Sequence, residues 1–232
     1  MPLTIAAVQP GCVPLDVAAN AAEHARLVRI AGSRVVVFPE LSITGYHFDA
    51  AALAPEDPRL VPIIEACAAA GSIALVGAPV RGEAGDHIGV LALDAEGARL
   101  VYRKQWLGGG ELDRFVPGPT PAVLEVDGWR LGLAVCKDTG VEQHATDTAA
   151  LGIDAYVAGV LDRADDPEVQ AGRASRITAE LGVWYVVASF AGSTGEGYER
   201  AAARSRVWSP TGELVAEAGV ETGGVARATL TA

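Results

Sequence analysis

Three side chains with complementary chemistry each follow an apolar run that predicts a β-strand. They are the carboxylate of Glu40, the ammonium of Lys104 and the thiol of Cys136. A carboxylate can take the proton of a thiol, an ammonium can stabilise negative charge on a carbonyl oxygen, and a thiol can attack a carbonyl carbon. If the strand ends meet at one edge of a sheet, the set is suited to nucleophilic attack on an acyl carbon.

Each of these residues has an ordinary alternative role. A cysteine at a strand end is usually a small buried hydrophobic residue, a glutamate after proline is mostly a solvated loop acid, and a lysine beside Arg103 is mostly a surface charge. A free thiol has a pKa of about 8.5, so Cys136 would need activation. Lys104 and the N-terminus of a following helix, capped by Asp138 or Thr139, would supply it.

The pattern of apolar residues predicts strands that alternate with helices, interrupted by hairpins. The predicted strands are Leu3–Val8, Arg34–Phe38, Ile73–Val76, Ile88–Leu93, Arg99–Tyr102, Val123–Val126, Arg130–Val135, Ala155–Val160, Trp184–Ser189, Ser205–Trp208, Leu214–Ala218 and Val225–Leu230. The predicted helices are Leu15–Ala31, one from Asp57-Pro58 to Gly71, one at about Val141–Leu151, and one that begins at Asp166-Pro167. Hairpins mixed with β-α units favour an α/β fold in layers, with mixed sheets covered by helices.

Two connections stand out among the predicted loops. Asp127-Gly128 between two strands is a strong hairpin signal, because both residues tolerate positive φ. The segment Gln105–Pro121 contains three consecutive glycines and three prolines. A loop of that length inside a compact domain is usually functional.

The composition narrows the class of protein. The chain has 232 residues, half of them hydrophobic, which suits a single domain spanning residues 1–232. It carries 29 acidic against 18 basic residues, a net charge of −11, which argues against nucleic acid and anionic membranes as partners. Its 3 cysteines exclude a disulfide framework and a four-cysteine zinc site. The N-terminus lacks the pattern of a signal peptide, so we expect a cytoplasmic location.

Three stretches of the sequence, in order, resemble the motifs of the nitrilase (carbon-nitrogen hydrolase) superfamily. They are Phe38–Tyr46 around Glu40, Tyr102–Lys104 with Glu111 and Phe115–Gly118, and Gly132–Asp138 around Cys136. Ala6–Gln9, Asp16 with Asn20, and Ser205 with Pro210–Gly212 match flanking positions of the superfamily. The resemblance covers essentially the whole chain.

The resemblance implies a fold and a set of roles. The fold is α/β, a four-layer α-β-β-α sandwich of two mixed β-sheets flanked by helices, which pairs through helices into a homodimer or higher homo-oligomer. Glu40 is implied as general base, Lys104 as oxyanion stabiliser, Cys136 as nucleophile and Glu111 as the supporting second glutamate. The backbone N–H of Lys137 is implied as the second oxyanion donor.

The implied reaction is attack on an amide-type carbon, loss of ammonia or amine through a thioester, and hydrolysis of the thioester by water. No metal or organic cofactor is implied, and the partner is a small amide-type molecule. An amidase acting on a small linear amide is the first interpretation, because that is the commonest activity of the superfamily. N-carbamoyl hydrolysis, nitrile hydrolysis and acyl transfer remain open.

The chain departs from the usual motifs near the pocket. Lys137 replaces an aromatic residue, Phe190 stands where many members have asparagine, and the loop Val160–Asp166 lacks the usual proline. These departures leave the substrate open, and the candidate substrate-binding residues are Tyr46, Trp106, Lys137 and Leu161. They also keep open a different class of function, a catalytically silent binding or regulatory protein on the same scaffold.

Other chemistry-bearing residues have weaker interpretations. His144 could suggest a Cys/His hydrolase, although a histidine on a helix surface is the favoured interpretation. The run Gly108–Gly110 matches no nucleotide-binding motif. Asp162, with two further aspartates in its loop, could attract a cationic substrate, but a solvated acidic loop is favoured.

Overall fold

The computed structural model describes residues 1–231, in which two mixed β-sheets of six strands each pack face to face. The first sheet contains β1 (Leu3–Val8), β2 (Val35–Val37), β3 (Ile73–Arg81), β4 (Asp86–Asp94), β5 (Gly97–Arg103) and β12 (Val225–Leu230), in the order β12-β1-β2-β3-β4-β5. The second contains β6 (Val123–Val126), β7 (Trp129–Val135), β8 (Ala155–Val160), β9 (Trp184–Ser189), β10 (Arg206–Trp208) and β11 (Leu214–Glu217), in the order β11-β10-β9-β8-β7-β6.

Four α-helices in the described chain cover the outer faces of the sheets. They are α1 (Val17–Ala31) and α2 (Val61–Ala70) on the first sheet, and α3 (Glu142–Ala149) and α4 (Val169–Leu181) on the second. The predicted four-layer α-β-β-α sandwich of two mixed sheets is therefore confirmed. Along these residues no helix has both the length and the apolar character needed to cross a bilayer.

Successive side chains along each strand point to opposite faces of its sheet. They therefore form an inner core between the two sheets and two outer cores, each between one sheet and its helices. In β2, Val35 and Val37 face the opposite sheet while Val36 packs under the helices, and all three are buried. In β8, Val157 points inward and Tyr156 points outward toward α4. Burial on both faces explains why these strands read as continuous apolar runs.

Capping residues set the helix ends. The predicted helix Leu15–Ala31 begins later than expected, at Val17. The carboxylate of Asp16 accepts the N–H of Ala19, so Asp16 is the N-cap of α1 and not part of its first turn. Leu15 has a φ of 62°, which keeps it outside the helix. Gly32 ends α1 in the left-handed conformation, as the sequence indicated. Asp57-Pro58 begins a 3₁₀ turn, and α2 starts only after it, at Val61.

The two sheets share one connection pattern, and it places three strand ends together. The units β1-α1-β2-α2-β3 and β7-α3-β8-α4-β9 each form three parallel strands with helical crossovers. Strand β5 runs antiparallel to β4, which runs antiparallel to β3, so β5 ends at the same edge as β2. The residues that follow β2, β5 and β7 form the site described next.

Candidate active site

Glu40 is held at the end of β2 by a close approach of backbones. On β3, Gly77 lies against the backbone of Pro39, Glu40 and Leu41. From the opposite sheet, Gly159 of β8 lies against the backbone of Phe38 and Pro39. A Cβ at either glycine would collide with that backbone, so the absence of a side chain is what lets the segment pass between the two sheets.

Lys104 lies at the centre of a buried ionic cluster. Its Nζ donates to Glu40 Oε1 at 2.6 Å and to both oxygens of Glu111, at 2.7 and 2.8 Å. The three side chains are at most 2% exposed. Because the ammonium has three donors and all three are engaged, the geometry of the cluster is fully specified.

The loop from Gln105 to Pro117 is tied at both ends to Lys104. The Lys104 N–H donates to Ile88 O, and the Gly118 N–H donates to Lys104 O at 2.7 Å. Inside the loop, a 3₁₀ turn (Gly109–Asp113) carries Glu111, whose Oε2 accepts the Gly108 N–H at 2.7 Å. Its Oε1 accepts the Tyr46 hydroxyl at 2.6 Å. Glu111 thus joins the loop after β5 to the segment after β2.

Cys136 opens a 3₁₀ turn (Cys136–Gly140) directly after β7 and has a φ of 44°. This left-handed conformation is uncommon for a residue other than glycine, and strain of that kind concentrates at functional sites. The thiol donates to Leu161 O at 3.4 Å. Thr139 Oγ1 donates to Cys136 O at 2.7 Å, and Arg173 of α4 donates to that hydroxyl at 2.8 Å. The turn is therefore held from the side of α4.

The expected helix cap after Cys136 is wrong. Helix α3 begins only at Glu142, and its N-cap Val141 offers no side chain to it. The Asp138 carboxylate instead accepts the N–H groups of Val135 and Trp106, both at 2.9 Å. Asp138 of the short turn thus accepts the N–H at the end of β7 and caps no helix. Because α3 begins six residues after Cys136, its N-terminus does not explain activation of the thiol.

A chain of buried hydrogen bonds extends from Asp138 into the second sheet. The Tyr102 hydroxyl donates to Asp138 at 2.7 Å, so its oxygen accepts from His144 Nε2 at 2.8 Å. His144 Nδ1 then accepts from the Tyr156 hydroxyl at 2.6 Å. Every proton in this chain points toward the carboxylate. His144 is 1% exposed, so the interpretation as a helix-surface histidine is wrong.

Burial dominates the electrostatics of the site. Burial, opposed by the Lys104 charge and reinforced by Glu111, raises the pKa of Glu40 to about 8. Burial lowers the pKa of Lys104, but the carboxylates of Glu40 and Glu111 overcome it and raise that pKa above its ordinary value. Burial and the Glu40 charge raise the pKa of the Cys136 thiol well above its ordinary value, against the effect of Lys104. The thiol is therefore protonated at neutral pH.

A cavity of about 420 Å³ opens onto the thiol. It is lined by Tyr46, Phe48, Lys104, Gly108, Gly109, Gly110, Glu111, Cys136, Lys137, Arg163, Glu196 and Tyr198. Of the predicted substrate-binding residues, Tyr46 and Lys137 lie in this wall, but Trp106 and Leu161 do not. Trp106 is 41% exposed elsewhere on the loop, and Leu161 is buried, with its carbonyl on the thiol. Phe190 is fully buried in the core and also lies outside the wall.

Several residues of the site were not predicted from the sequence. Tyr102, Asp138, His144 and Tyr156 form the buried chain, and Phe48, Arg163, Glu196 and Tyr198 complete the cavity wall. Phe48 follows a recognised motif, and this proximity was the only available signal for it. Tyr102 and Asp138 lie inside recognised motifs, whereas the remaining residues come from strands, helices and loops that meet only in the folded chain.

Comparison with known sequences gives one family match and a partial relative. A family model described as carbon-nitrogen hydrolase matches residues 4–232. A protein of Pseudomonas protegens described as "Hydrolase in pqqF 5'region" is 34% identical over 150 residues, which cover 60% of this chain. The match spans about half of that relative's length, 52%.

Solved structures share the fold over nearly the whole chain. The amidase from Nesterenkonia sp. AN1, with acrylamide added at its active site cysteine, has a TM-score of 0.87 at 24% identity and covers 99% of this chain and 93% of its own. The same amidase with the acetamide moiety of fluoroacetamide on that cysteine has a TM-score of 0.84 at 25% identity, covering 98% and 90%. Nit3 from Saccharomyces cerevisiae, of the nitrilase superfamily, has a TM-score of 0.86 at 21% identity, covering 99% and 90%.

Proposed function

The chain belongs to the carbon-nitrogen hydrolase family, and from this premise we propose that it is an amidase that uses Cys136 as nucleophile. The family hydrolyses carbon-nitrogen bonds. The amide as the bond cleaved, and the roles of the individual residues, are what we propose. One observation carries it: Lys104 holds Glu40 and Glu111 in a single buried cluster beside a partly exposed thiol at the foot of a cavity.

The first half-reaction forms a thioester. Glu40 accepts the proton of the Cys136 thiol while the sulfur attacks the amide carbon, and the carbonyl becomes an oxyanion. The positive charge of the Lys104 ammonium and the backbone N–H of Lys137 stabilise that oxyanion. Glu40 then returns its proton to the amide nitrogen, the C–N bond breaks, and ammonia leaves.

The second half-reaction restores the thiol. Glu40 takes a proton from water as the water oxygen attacks the thioester carbon, and collapse of the second oxyanion breaks the C–S bond. The sulfur regains a proton from Glu40, and the product leaves as the carboxylic acid, which loses its remaining proton to the solvent. Oε2 of Glu40 is buried without a hydrogen-bond partner among the described atoms, and it is the atom that we assign to these transfers.

Glu111 acts in this scheme through Lys104 and not on the substrate. Its carboxylate already accepts four hydrogen bonds, two from Lys104 and one each from Tyr46 and Gly108. A carboxylate so engaged is a poor proton acceptor. We assign it the role of fixing the ammonium between itself and Glu40.

The relatives support the choice of bond. The Nesterenkonia protein is described as an amidase with an adduct at its active site cysteine. That description favours an amide over a nitrile or an N-carbamoyl compound as the substrate.

Release of ammonia from a panel of short amides, nitriles and N-carbamoyl compounds tests the proposal. We expect amides to be hydrolysed and intact mass to show an acyl adduct on Cys136. Cys136→Ala should lower turnover by at least about 10³-fold, because the nucleophile and its partners act as a unit. Cys12→Ala is the matched control, since Cys12 is a partly exposed free thiol outside the cavity wall. Equal ammonia release by Cys136→Ala and wild type would refute the proposal.

A further inference from the structure

One cation in the cavity wall makes no hydrogen bond or ion pair with its side chain within residues 1–231. Arg163 is exposed, and its guanidinium lies over the ring of Tyr198, 4.6 Å from the centroid. Within residues 1–231, its N–H groups donate to no carboxylate, carbonyl or hydroxyl. The contact with the ring holds the guanidinium at the cavity wall and leaves its N–H groups available to a ligand. A planar guanidinium with available N–H donors matches the geometry of a carboxylate.

The charges around Arg163 strengthen this interpretation. Lys137 also lines the cavity, and its Nζ donates to Leu107 O at 2.7 Å and to no carboxylate of the described residues. Glu196 supplies one negative charge, and its carboxylate accepts the Phe48 N–H at 3.1 Å. Outside the catalytic cluster the wall therefore carries two cations against one carboxylate. That local excess occurs in a protein whose net charge is −11.

We propose that Arg163 selects substrates whose acyl part carries a carboxylate at the end remote from the amide. The substrate class is then the monoamides of short dicarboxylic acids, with Lys137 as a second attraction for the anion. This inference rests on the proposed amidase function. The cavity of about 420 Å³ is of a size for a small molecule.

A substrate series tests the charge preference. The monoamides of malonic, succinic, glutaric and adipic acids are compared with alkyl amides of matched length and with the corresponding ω-amino amides. We expect one chain length to give the highest kcat/KM among the anionic amides. At that length the anionic amide should exceed the neutral amide by about 10- to 100-fold, the range of a charge-assisted hydrogen-bonded pair.

Variants then assign the preference to Arg163. Arg163→Gln should remove the advantage of the anionic amide, mainly through KM, so that the ratio of kcat/KM for the anionic amide to that for the neutral amide falls to about one. Arg163→Lys should retain only part of it, because an ammonium lacks the planar fork. Arg200→Gln is the matched control, since Arg200 lines the neighbouring recess with Arg163 but not the cavity. It should leave the ratio of anionic to neutral substrate unchanged.

A binding measurement separates this inference from the proposed function. Calorimetry of the Cys136→Ala protein with the best anionic monoamide should show binding that Arg163→Gln weakens about 10- to 100-fold. If Cys136-dependent hydrolysis occurs without an anionic preference, or with a preference for the ω-amino amide, the inference fails and the amidase function stands. If no amide is hydrolysed, the amidase function fails, and calorimetry still decides whether Arg163 binds a carboxylate.

Discussion

Glu40 combines full burial with a nearby ammonium, and its pKa of about 8 places its titration in the working range of an enzyme. The base must be ionised to accept the thiol proton. We therefore expect kcat/KM to rise with pH through a limb at about pH 8, not near its ordinary value of 4.5. Initial rates at constant ionic strength between about pH 5.5 and pH 9.5 measure the limb.

Removal of the second carboxylate tests the origin of that limb. The charge of Glu111 raises the pKa of Glu40, so Glu111→Gln should move the limb to lower pH while it reduces kcat. Asp113→Asn, in the same 3₁₀ turn, makes the same type of change outside the cavity wall and is the control. An unchanged limb in Glu111→Gln would contradict the assignment to Glu40.

The buried hydrogen-bond chain that ends at Asp138 should contribute to stability and also hold the cysteine turn in place. Tyr102→Phe removes a donor to Asp138 and leaves the Nε2–H of His144 unsatisfied, which should destabilise the fold by about 1–3 kcal/mol. Tyr156→Phe removes the hydroxyl at the far end of the chain and should destabilise it similarly. Because the Tyr102 hydroxyl donates to Asp138, which holds the cysteine turn, Tyr102→Phe should lower kcat more than Tyr156→Phe does.

Denaturant unfolding gives the two stabilities, and saturating substrate gives the two kcat values. If the hydrogen-bond chain positions the Cys136 turn, the two variants should have similar stabilities but different kcat values. Equal losses of kcat in Tyr102→Phe and Tyr156→Phe would mean that the chain contributes only to stability.

At the scale of elements, the contact between β8 and the end of β2 positions the base. A Cβ on Gly159 would meet the backbone of Phe38 and Pro39, which cannot move aside as a flexible side chain could. Gly159→Ala should therefore displace Glu40 and lower kcat at least about 10-fold, with a loss of about 1–3 kcal/mol in the free energy of unfolding.

Gly172 in α4 is the matched control for that substitution. It is exposed, and a Cβ there would have no neighbour within 4 Å. Gly172→Ala should leave kcat unchanged and stabilise the fold by up to about 1 kcal/mol, because alanine is the better helix former. Full activity in Gly159→Ala would show that the close approach does not position Glu40.

Local patterns were sufficient to predict most elements. The bounds of β1, β6, β8, β9 and β12 match the prediction residue for residue, because alternation and turn residues are local signals. Strand β3 runs on to Arg81, past the predicted end at Val76. It includes Pro79, a residue type that local patterns place outside strands. Pairing with β4 on one side carried the strand beyond the point where the local pattern stopped.

The site was predictable only where a motif named its residues. Glu40, Lys104, Glu111 and Cys136 lie together in the structure, while their catalytic roles remain proposals. Arg163 could not be predicted, because its contact Tyr198 lies 35 residues further along the chain, in the loop after the neighbouring strand β9. His144 was misassigned for the same reason, since the hydroxyls that bury it come from β5 and β8.

For the whole molecule, the inner core predicts that the two sheets unfold together. Leu75 of β3 and Leu133 of β7 belong to one apolar cluster, and so do Val37 of β2 and Val157 of β8. Neither sheet can leave the other without exposing that cluster to water. We therefore expect the chain to behave as a single cooperative domain with one unfolding transition.

The chain carries separate probes for the two halves. Trp129, Trp184 and Trp208 are buried in the second sheet, so their fluorescence follows that half. Cys67 in α2 is buried against the first sheet, and burial raises its pKa to about 11, so its thiol becomes reactive only when that half opens. The Cys12→Ala/Cys136→Ala background leaves Cys67 as the single thiol for pulsed alkylation.

Across a denaturant series, the fluorescence midpoint and the midpoint of Cys67 alkylation should coincide, because loss of either sheet removes the shared core of the other. Circular dichroism, which reports both halves, should give the same midpoint. A separate, earlier exposure of Cys67 would mean that the first sheet and its helices can open alone. Glu40 and Lys104, which both follow strands of that sheet, would then leave Cys136 before the second sheet unfolds, and the wild-type protein would lose activity at the earlier midpoint.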